Sequence, residues 1–180
     1  MKWLIASDLH GSARWTRELL AAFAREKADR LLLLGDLLYH GPRNDLPDEY
    51  APKAVIALLS EYRSRILCVR GNCDAEVDQM VLPFPILADY AVLPLGSRMM
   101  YCTHGHVHNA GNLPPLQPGD ILLHGHTHIP LCAAQDGFTI LNPGSTSIPK
   151  EGSWHGYMTL EDGLFRWLDF GGECHREFRA

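Results

Sequence analysis

The five cysteines of this chain, Cys68, Cys73, Cys102, Cys132 and Cys174, form no closely spaced pair. Cys68 and Cys102 sit inside apolar runs, where a thiol behaves as a small hydrophobe, so a disulfide-stapled domain is not expected and a reducing cytoplasm is the expected setting. Lys and Arg are nowhere clustered, and the formal charge is -5. Duplex affinity is mostly phosphate neutralisation by grouped cations, so stable nucleic-acid binding is not expected, although a small anionic substrate fits if positive charge is local. No stretch approaches the roughly 20 apolar residues that span a bilayer, and the apolar start Met1 to Ser7 breaks at Asp8, too short for a signal peptide. The chain shows no internal repeat, linker or low-complexity segment.

What the 180 residues do have is enough apolar content, 46%, to bury one core as a single domain over residues 1–180. Lys2 to Ser7 and Arg30 to Leu34 read as short strands, apolar on consecutive residues as when both faces of a sheet are covered. Between them, Ser12 is a good cap for a helix carrying Trp15, Leu19, Ala22 and Phe23 on one stripe. Strand, helix, strand implies a parallel crossover. Pro52 opens a second helix with Val55, Ile56, Leu59 and Tyr62 inward, followed by a strand over Arg65 to Val69. After Pro83 the pattern turns to strands: Ala88 to Leu95, Arg98 to Cys102, Ile121 to Leu123, Phe138 to Leu141, Gly156 to Leu160 and Leu164 to Phe170. A helical first half and a strand-rich second half predict an α/β domain with two sheets face to face and helices outside.

The chemically active residue types fall at the ends of these strands, where α/β proteins bind ligands: Asp8 and His10, Asp36, Asn72, His104, and His126 with His128. Carboxylate, imidazole and amide oxygen without thiolate suit divalent Mn, Fe, Co, Ni or Zn. Seven donors exceed the needs of one ion. Two ions about 3.5 to 4 Å apart clamp a phosphoryl group and acidify a bridging water; they need a shared carboxylate, for which Asp36 is the candidate. Taken singly, each fragment has a plain alternative as a turn or a cap; five in this order, each after an apolar strand, make that reading improbable.

Asp8-Leu9-His10, Gly35-Asp36, Gly71-Asn72-Cys73-Asp74, Thr103-His104-Gly105-His106 and Gly125-His126-Thr127-His128 resemble the five blocks of calcineurin-like metallophosphoesterases. The loop Tyr39 to Asn44, the Cys in the third block and Asn142-Pro143-Gly144-Ser145 resemble the small bacterial YfcE-type phosphodiesterases within that superfamily. The resemblance implies a four-layer αββα β-sandwich of two mixed sheets flanked by helices. It assigns Asp8, His10 and His128 to one ion and Asn72, His104 and His126 to the other, with Asp36 bridging, and it favours Mn2+. Many relatives carry a proton-donating His where this chain has Cys73, so the general acid is open among Cys73, His106, His40 and His108. A thiol with a free pKa of about 8.5 that ionised beside metal could not donate, and esters with good leaving groups would react best. Arg43 is the candidate for pairing with a phosphate oxygen, Asp74, His124, Asn142 and Ser145 for supporting the site, and His155 and His175 for the surface.

The expected reaction is in-line attack on a small phosphodiester by a hydroxide bridging the two ions, helped by positive potential from the helix start at Ser12. The alternatives are a Vps29-like binding scaffold, a nuclease or nucleotide hydrolase, and a phosphomonoesterase. A homo-oligomer is possible from the four tryptophans, Trp3, Trp15, Trp154 and Trp167, as core or interface anchors.

Overall fold

The computed structural model describes residues 1–180. In chain order the elements are β1 (Trp3–Ala6), α1 (Ala13–Arg25), β2 (Arg30–Leu33), α2 (Pro52–Ser60), β3 (Ile66–Cys68), α3 (Glu76–Gln79), β4 (Tyr90–Leu95), β5 (Arg98–Thr103), β6 (Ile121–Leu123), β7 (Leu131–Gln135), β8 (Phe138–Asn142), β9 (Gly156–Glu161), β10 (Leu164–Asp169) and β11 (Cys174–Arg179). They form two mixed sheets, ordered β11-β10-β9-β1-β2-β3 and β4-β5-β6-β8-β7. β1, β2 and β3 are parallel in the first, and β5, β6 and β8 are parallel in the second.

Consecutive apolar residues explain the central strands, because successive side chains leave a strand on opposite faces. Leu4, Ala6, Leu31 and Leu33 pack under Leu19, Phe23, Val55 and Leu59 of the two longer helices. Ile5, Leu32, Leu34 and Val69 instead face Met100, Cys102, Ile121, Leu123 and Leu141 of the second sheet, with Trp167 among them. Each fully buried Leu or Phe contributes about 1.5–3 kcal/mol, so this double-sided burial fixes the register that aims the strand ends.

Three details differ from the sequence reading. α1 is capped by Ser12, whose Oγ accepts Trp15 N at 3.3 Å, but Trp15 is only half-buried: it stacks on His155 at 3.7 Å, so the expected surface histidine and the expected core tryptophan cover each other at the margin. β7 and β11 were not anticipated; β7 is rich in Ala and β11 in exposed charge, so neither shows a clean apolar alternation. The two longer helices lie on the outer face of the six-stranded sheet, while the outer face of the five-stranded sheet is met by Pro115 and Leu116, which share a shallow concavity with Val92, Met99 and Tyr101. The connection from β5 to β6 carries Pro114, Pro115 and Pro118 with Gly105, Gly111 and Gly119, residues that break helices.

Candidate metal centre

Parallel strands from both sheets end on the same side of the sandwich, and every donor picked out in the sequence follows such an end. The loops after β1 and β2 are laced together: Asp8 N donates to Gly35 O at 3.1 Å, His10 N to Asp36 O at 2.9 Å and Gly11 N to Leu37 O at 2.9 Å. Across the sandwich, His104 Nδ1 donates to Leu34 O at 2.7 Å, and within the second sheet Gly125 N donates to His104 O at 2.8 Å. Five of the seven donors, Asp8, His10, Asp36, His126 and His128, have left-handed backbone, with φ between 46 and 67°. Asp and His tolerate this region better than branched residues, and such conformations cluster at functional sites where the surroundings enforce them.

The side chains converge in two groups. Asp8 Oδ1 lies 3.6 Å from His10 Nε2 and 3.3 Å from His128 Nε2, and the two imidazole nitrogens are 3.2 Å apart. His104 Nε2 lies 3.1 Å from Asn72 Oδ1 and 3.2 Å from His126 Nδ1. Asp36 Oδ2 reaches both groups, 3.7 Å from His10 Nε2 and 3.4 Å from His104 Nε2. An ion bonded at about 2.1 Å separates its donors by about 3.0 Å at right angles and 3.4 Å tetrahedrally, so these spacings fit a divalent ion in each group.

The hydrogen bonds behind the donors point the same way. His10, His104 and His128 each give their Nδ1 proton to a backbone carbonyl, of Tyr39, Leu34 and Ile148, all at 2.7 Å. In the neutral ring that leaves Nε2 as a lone pair turned inward, the arrangement metal-binding histidines use. Asp8 and Asp36 are each half-committed: Asp8 Oδ2 accepts His126 N at 3.1 Å and Asp36 Oδ1 accepts Cys73 N at 2.8 Å. The inward Asp8 Oδ1 is buried with no hydrogen-bond donor, a costly state that a cation would relieve.

The chain's own field reflects this crowding. Burial opposes charge on His104, yet the Asp36 and Asp8 carboxylates raise it to about 9. Burial would raise Asp8, but His10 and His128 hold it well below the usual carboxylate range. Burial, then the charge on His104, lowers His126 to about 4. In metal-free protein the His104 imidazolium therefore contributes stability that is complete below about 6.5 and lost as pH rises through about 9. A metal needs the neutral ring. Adding a divalent ion at pH 7 is expected to release a proton from His104, with apparent affinity climbing toward pH 9. Calorimetry in two buffers of different ionisation enthalpy counts that proton, and a count of zero overturns the linkage.

Cys73 Sγ and donor atoms of His10 and Asp36 all lie within 4.8 Å of one another, over a cavity of about 380 Å³ lined also by Gly41, Arg43, Asn44, Thr127 and Lys150. Burial first, then the carboxylates of Asp36, Asp74 and Asp8, push the thiol up in the metal-free chain. His106 is exposed beside the second group, its ring 5.5 Å from that of His104, and it does not line the cavity. His40 and His108 stand away from the cavity against tyrosines.

Among the supporting residues, Asp74 accepts three backbone N–H groups, from Asp36 at 2.8 Å, Leu37 at 2.9 Å and Gly71 at 2.7 Å. Asn142 Nδ2 donates to Gly125 O at 2.8 Å and to Thr127 Oγ1 at 3.1 Å. Ser145 and Ser147 both donate to Asp8 O at 2.9 Å. Two glycines permit the approach of loops: a Cβ on Gly71 would stand 2.1 Å from Asp36 Oδ1, and one on Gly125 1.8 Å from Ser7 Oγ. The helix start contributes less than expected, because Ala13 N is spent on Glu49 O and Trp15 N on Ser12 Oγ. Ser147, Thr127 and Lys150 escaped the sequence reading; Thr127 lies inside a recognised block, whereas Lys150 has no motif around it.

A family model described as the calcineurin-like phosphoesterase superfamily domain matches residues 1–162. The chain is 46% identical to phosphodiesterase YfcE of Escherichia coli over 162 residues, covering 90% of this chain and 88% of that protein. It is 28% identical over 171 residues to the probable metallophosphoesterase YsnB of Bacillus subtilis, covering 90% and 86%. The solved structure of the E. coli phosphoesterase Yfce is similar with a TM-score of 0.96 at 41% identity, covering 99% of both chains. A Vps29 from Entamoeba histolytica, at 20% identity and a TM-score of 0.64 over 100% of this chain and 99% of that one, shares the fold.

Proposed function

Because the chain belongs to the calcineurin-like phosphoesterase superfamily, we propose that it is a binuclear-metal-dependent phosphodiesterase acting on a small phosphodiester. The observation that carries this reading is the pair of donor groups that share the Asp36 carboxylate at 3.4 and 3.7 Å. Asp8, His10 and His128 with Asp36 would hold one ion; Asn72, His104 and His126 with Asp36 would hold the other. When bound, two divalent ions supply the acidified water and the positive charge that phosphoryl transfer to water requires. Oxygen and imidazole donors admit Mn2+, Zn2+, Ni2+, Co2+ and Fe2+, and the family resemblance makes Mn2+ the first choice.

The chain's own residues then do the positioning. Arg43, exposed at the cavity wall, offers two parallel N–H donors to a phosphate oxygen. Asp36 and Asp8 are fixed by backbone amides, so their inward oxygens cannot swing away as charge develops. At the place where many relatives carry a proton-donating His this chain has Cys73, a thiol ill suited to protonating a leaving group. Cleavage therefore favours esters whose leaving group departs without protonation. Similarity to YfcE supports diesters over monoesters, and the full set of donors supports an enzyme over a Vps29-like scaffold. A cytoplasmic setting accords with five cysteines that form no disulfide; no helix is long and apolar enough to cross a membrane.

The test is hydrolysis of bis-p-nitrophenyl phosphate by chelator-stripped protein, with Mn2+, Zn2+, Ni2+, Co2+ or Mg2+ restored singly and p-nitrophenyl phosphate run alongside. Stripped protein is expected to be inactive, and Mn2+ to restore diester cleavage well above monoester cleavage. Absence of turnover with two ions demonstrably bound would move the assignment to a binding scaffold.

A further inference from the structure

The cavity over the metal centre holds two cations that the proposed reaction does not both need. Arg43 and Lys150 line it; neither takes part in an ion pair, and neither side chain makes a hydrogen bond. The only acid in the lining is Asp36, already engaged with the two donor groups, and the only apolar side chains are those of Pro42 and Cys73. With so few apolar side chains in the lining, selection of a substrate arm rests mainly on charge and hydrogen bonds.

The two cations enter from different sides and are held by their backbones. Arg43 sits in a closed turn in which Asn44 Nδ2 donates to His40 O at 2.8 Å, with Gly41 packed toward Cys73. Lys150 is tied to the opposite donor: its N donates to His128 O at 3.2 Å, and its O accepts Ser153 N at 3.0 Å and Ser153 Oγ at 2.7 Å. Anchored main chain with an unpaired ammonium is a site for a compact anion, since Lys binds phosphate as a point charge whereas Arg pairs with it bidentately. A scissile diester phosphate carries one negative charge, which Arg43 answers. Lys150 is left over, exposed and without a carboxylate partner.

Resting on the phosphodiesterase reading above, we propose that Lys150 forms an anion subsite beside the scissile phosphate, and that the preferred substrates are phosphodiesters bearing a second phosphate on one arm. Lys150 here is a specificity-determining residue: it holds the arm and takes no part in bond breaking. A phosphate monoester supplies close to two charges at neutral pH, where a hydroxyl offers the subsite nothing.

The experiment uses metal-loaded protein and two esters that differ only at the arm, thymidine 5′-(p-nitrophenyl phosphate) with and without a 3′-phosphate. The phosphorylated ester is expected to show about tenfold higher kcat/KM, carried by KM, in line with one hydrogen-bonded charge pair. Calorimetry is expected to show thymidine 3′,5′-bisphosphate binding about tenfold more tightly than thymidine 5′-monophosphate. Lys150→Met should bring both ratios to near one, Lys150→Arg should keep most of each, and added salt should compress them. Brisk turnover of both esters at a ratio of one, or a ratio that survives Lys150→Met, overturns the subsite alone. Turnover of neither ester overturns the phosphodiesterase reading and the subsite with it.

Discussion

Asp36→Asn is expected to lower diester kcat by at least about a thousandfold, ~4 kcal/mol of barrier, while leaving the fold intact. The substitution preserves shape and removes charge, and the hydrogen bonds around Asp36 leave the new amide no good orientation. With its NH2 at the Oδ1 position it would face the Cys73 N–H, donor against donor, where the carboxylate now accepts at 2.8 Å. Turned over, the NH2 would point between His10 and His104, where the carboxylate oxygen now stands 3.7 and 3.4 Å from the ring nitrogens. One orientation sets donor against donor at Cys73, and the other presents a donor where a cation is to be shared. Metal analysis should show fewer than two ions retained per chain, with an unchanged circular dichroism spectrum. A variant that keeps both ions and a tenth of the activity would remove Asp36 from the bridging position.

Asp74→Ala is expected to destabilise the protein by about 3 kcal/mol or more without touching any donor atom. One carboxylate, 2% exposed, accepts the N–H groups of Asp36, Leu37 and Gly71. Removing it leaves three buried donors unpaired, each costing about 1–3 kcal/mol, against a typical total stability of about 5–15 kcal/mol. For a chain of this size the melting temperature should fall by roughly 6–12 °C. Metal affinity should drop as well, since the amide of Asp36 is part of the clamp. Asp74→Asn, which keeps one acceptor oxygen, should lie between. A melting temperature within a degree or two of the parent would show that water replaces the carboxylate.

The residues differed in how openly they declared these roles. The parallel strands were legible because both their faces are buried, so Trp3–Ala6 and Arg30–Leu33 write apolar residues consecutively, and the donors advertise themselves by following those runs. Leu131–Gln135 and Cys174–Arg179 pair at the sheet margins, where half or none of the strand is buried, and their sequences carry no alternation to read. The helical cover over one sheet was legible from Ser12 and Pro52; the Pro- and Gly-rich cover over the other was not. Support for the site was hidden for a different reason. Asp74 acts on backbone amides, Ser147 reaches Asp8 across 139 residues, and Lys150 meets the cavity only because its amide bonds to His128. Such partnerships leave no local spacing. The handedness of the backbone at Asp8, Asp36 and His126 was likewise invisible, because it is imposed by neighbouring loops and not by the residues themselves.

The five-stranded sheet ends at β4, whose outer margin has no partner strand. Pro94 sits in that margin opposite Met99, and Met99 N donates to Asp120 Oδ1 on the β6 side. The pair is therefore one that exchanges no ladder bonds, and the nitrogen of Pro94 faces outward. Placed there, proline costs the sheet nothing and deletes a donor that an incoming strand would need. With Tyr90 and Val92 exposed on the same strand, this one imino acid works against the rim being extended by a strand from another copy.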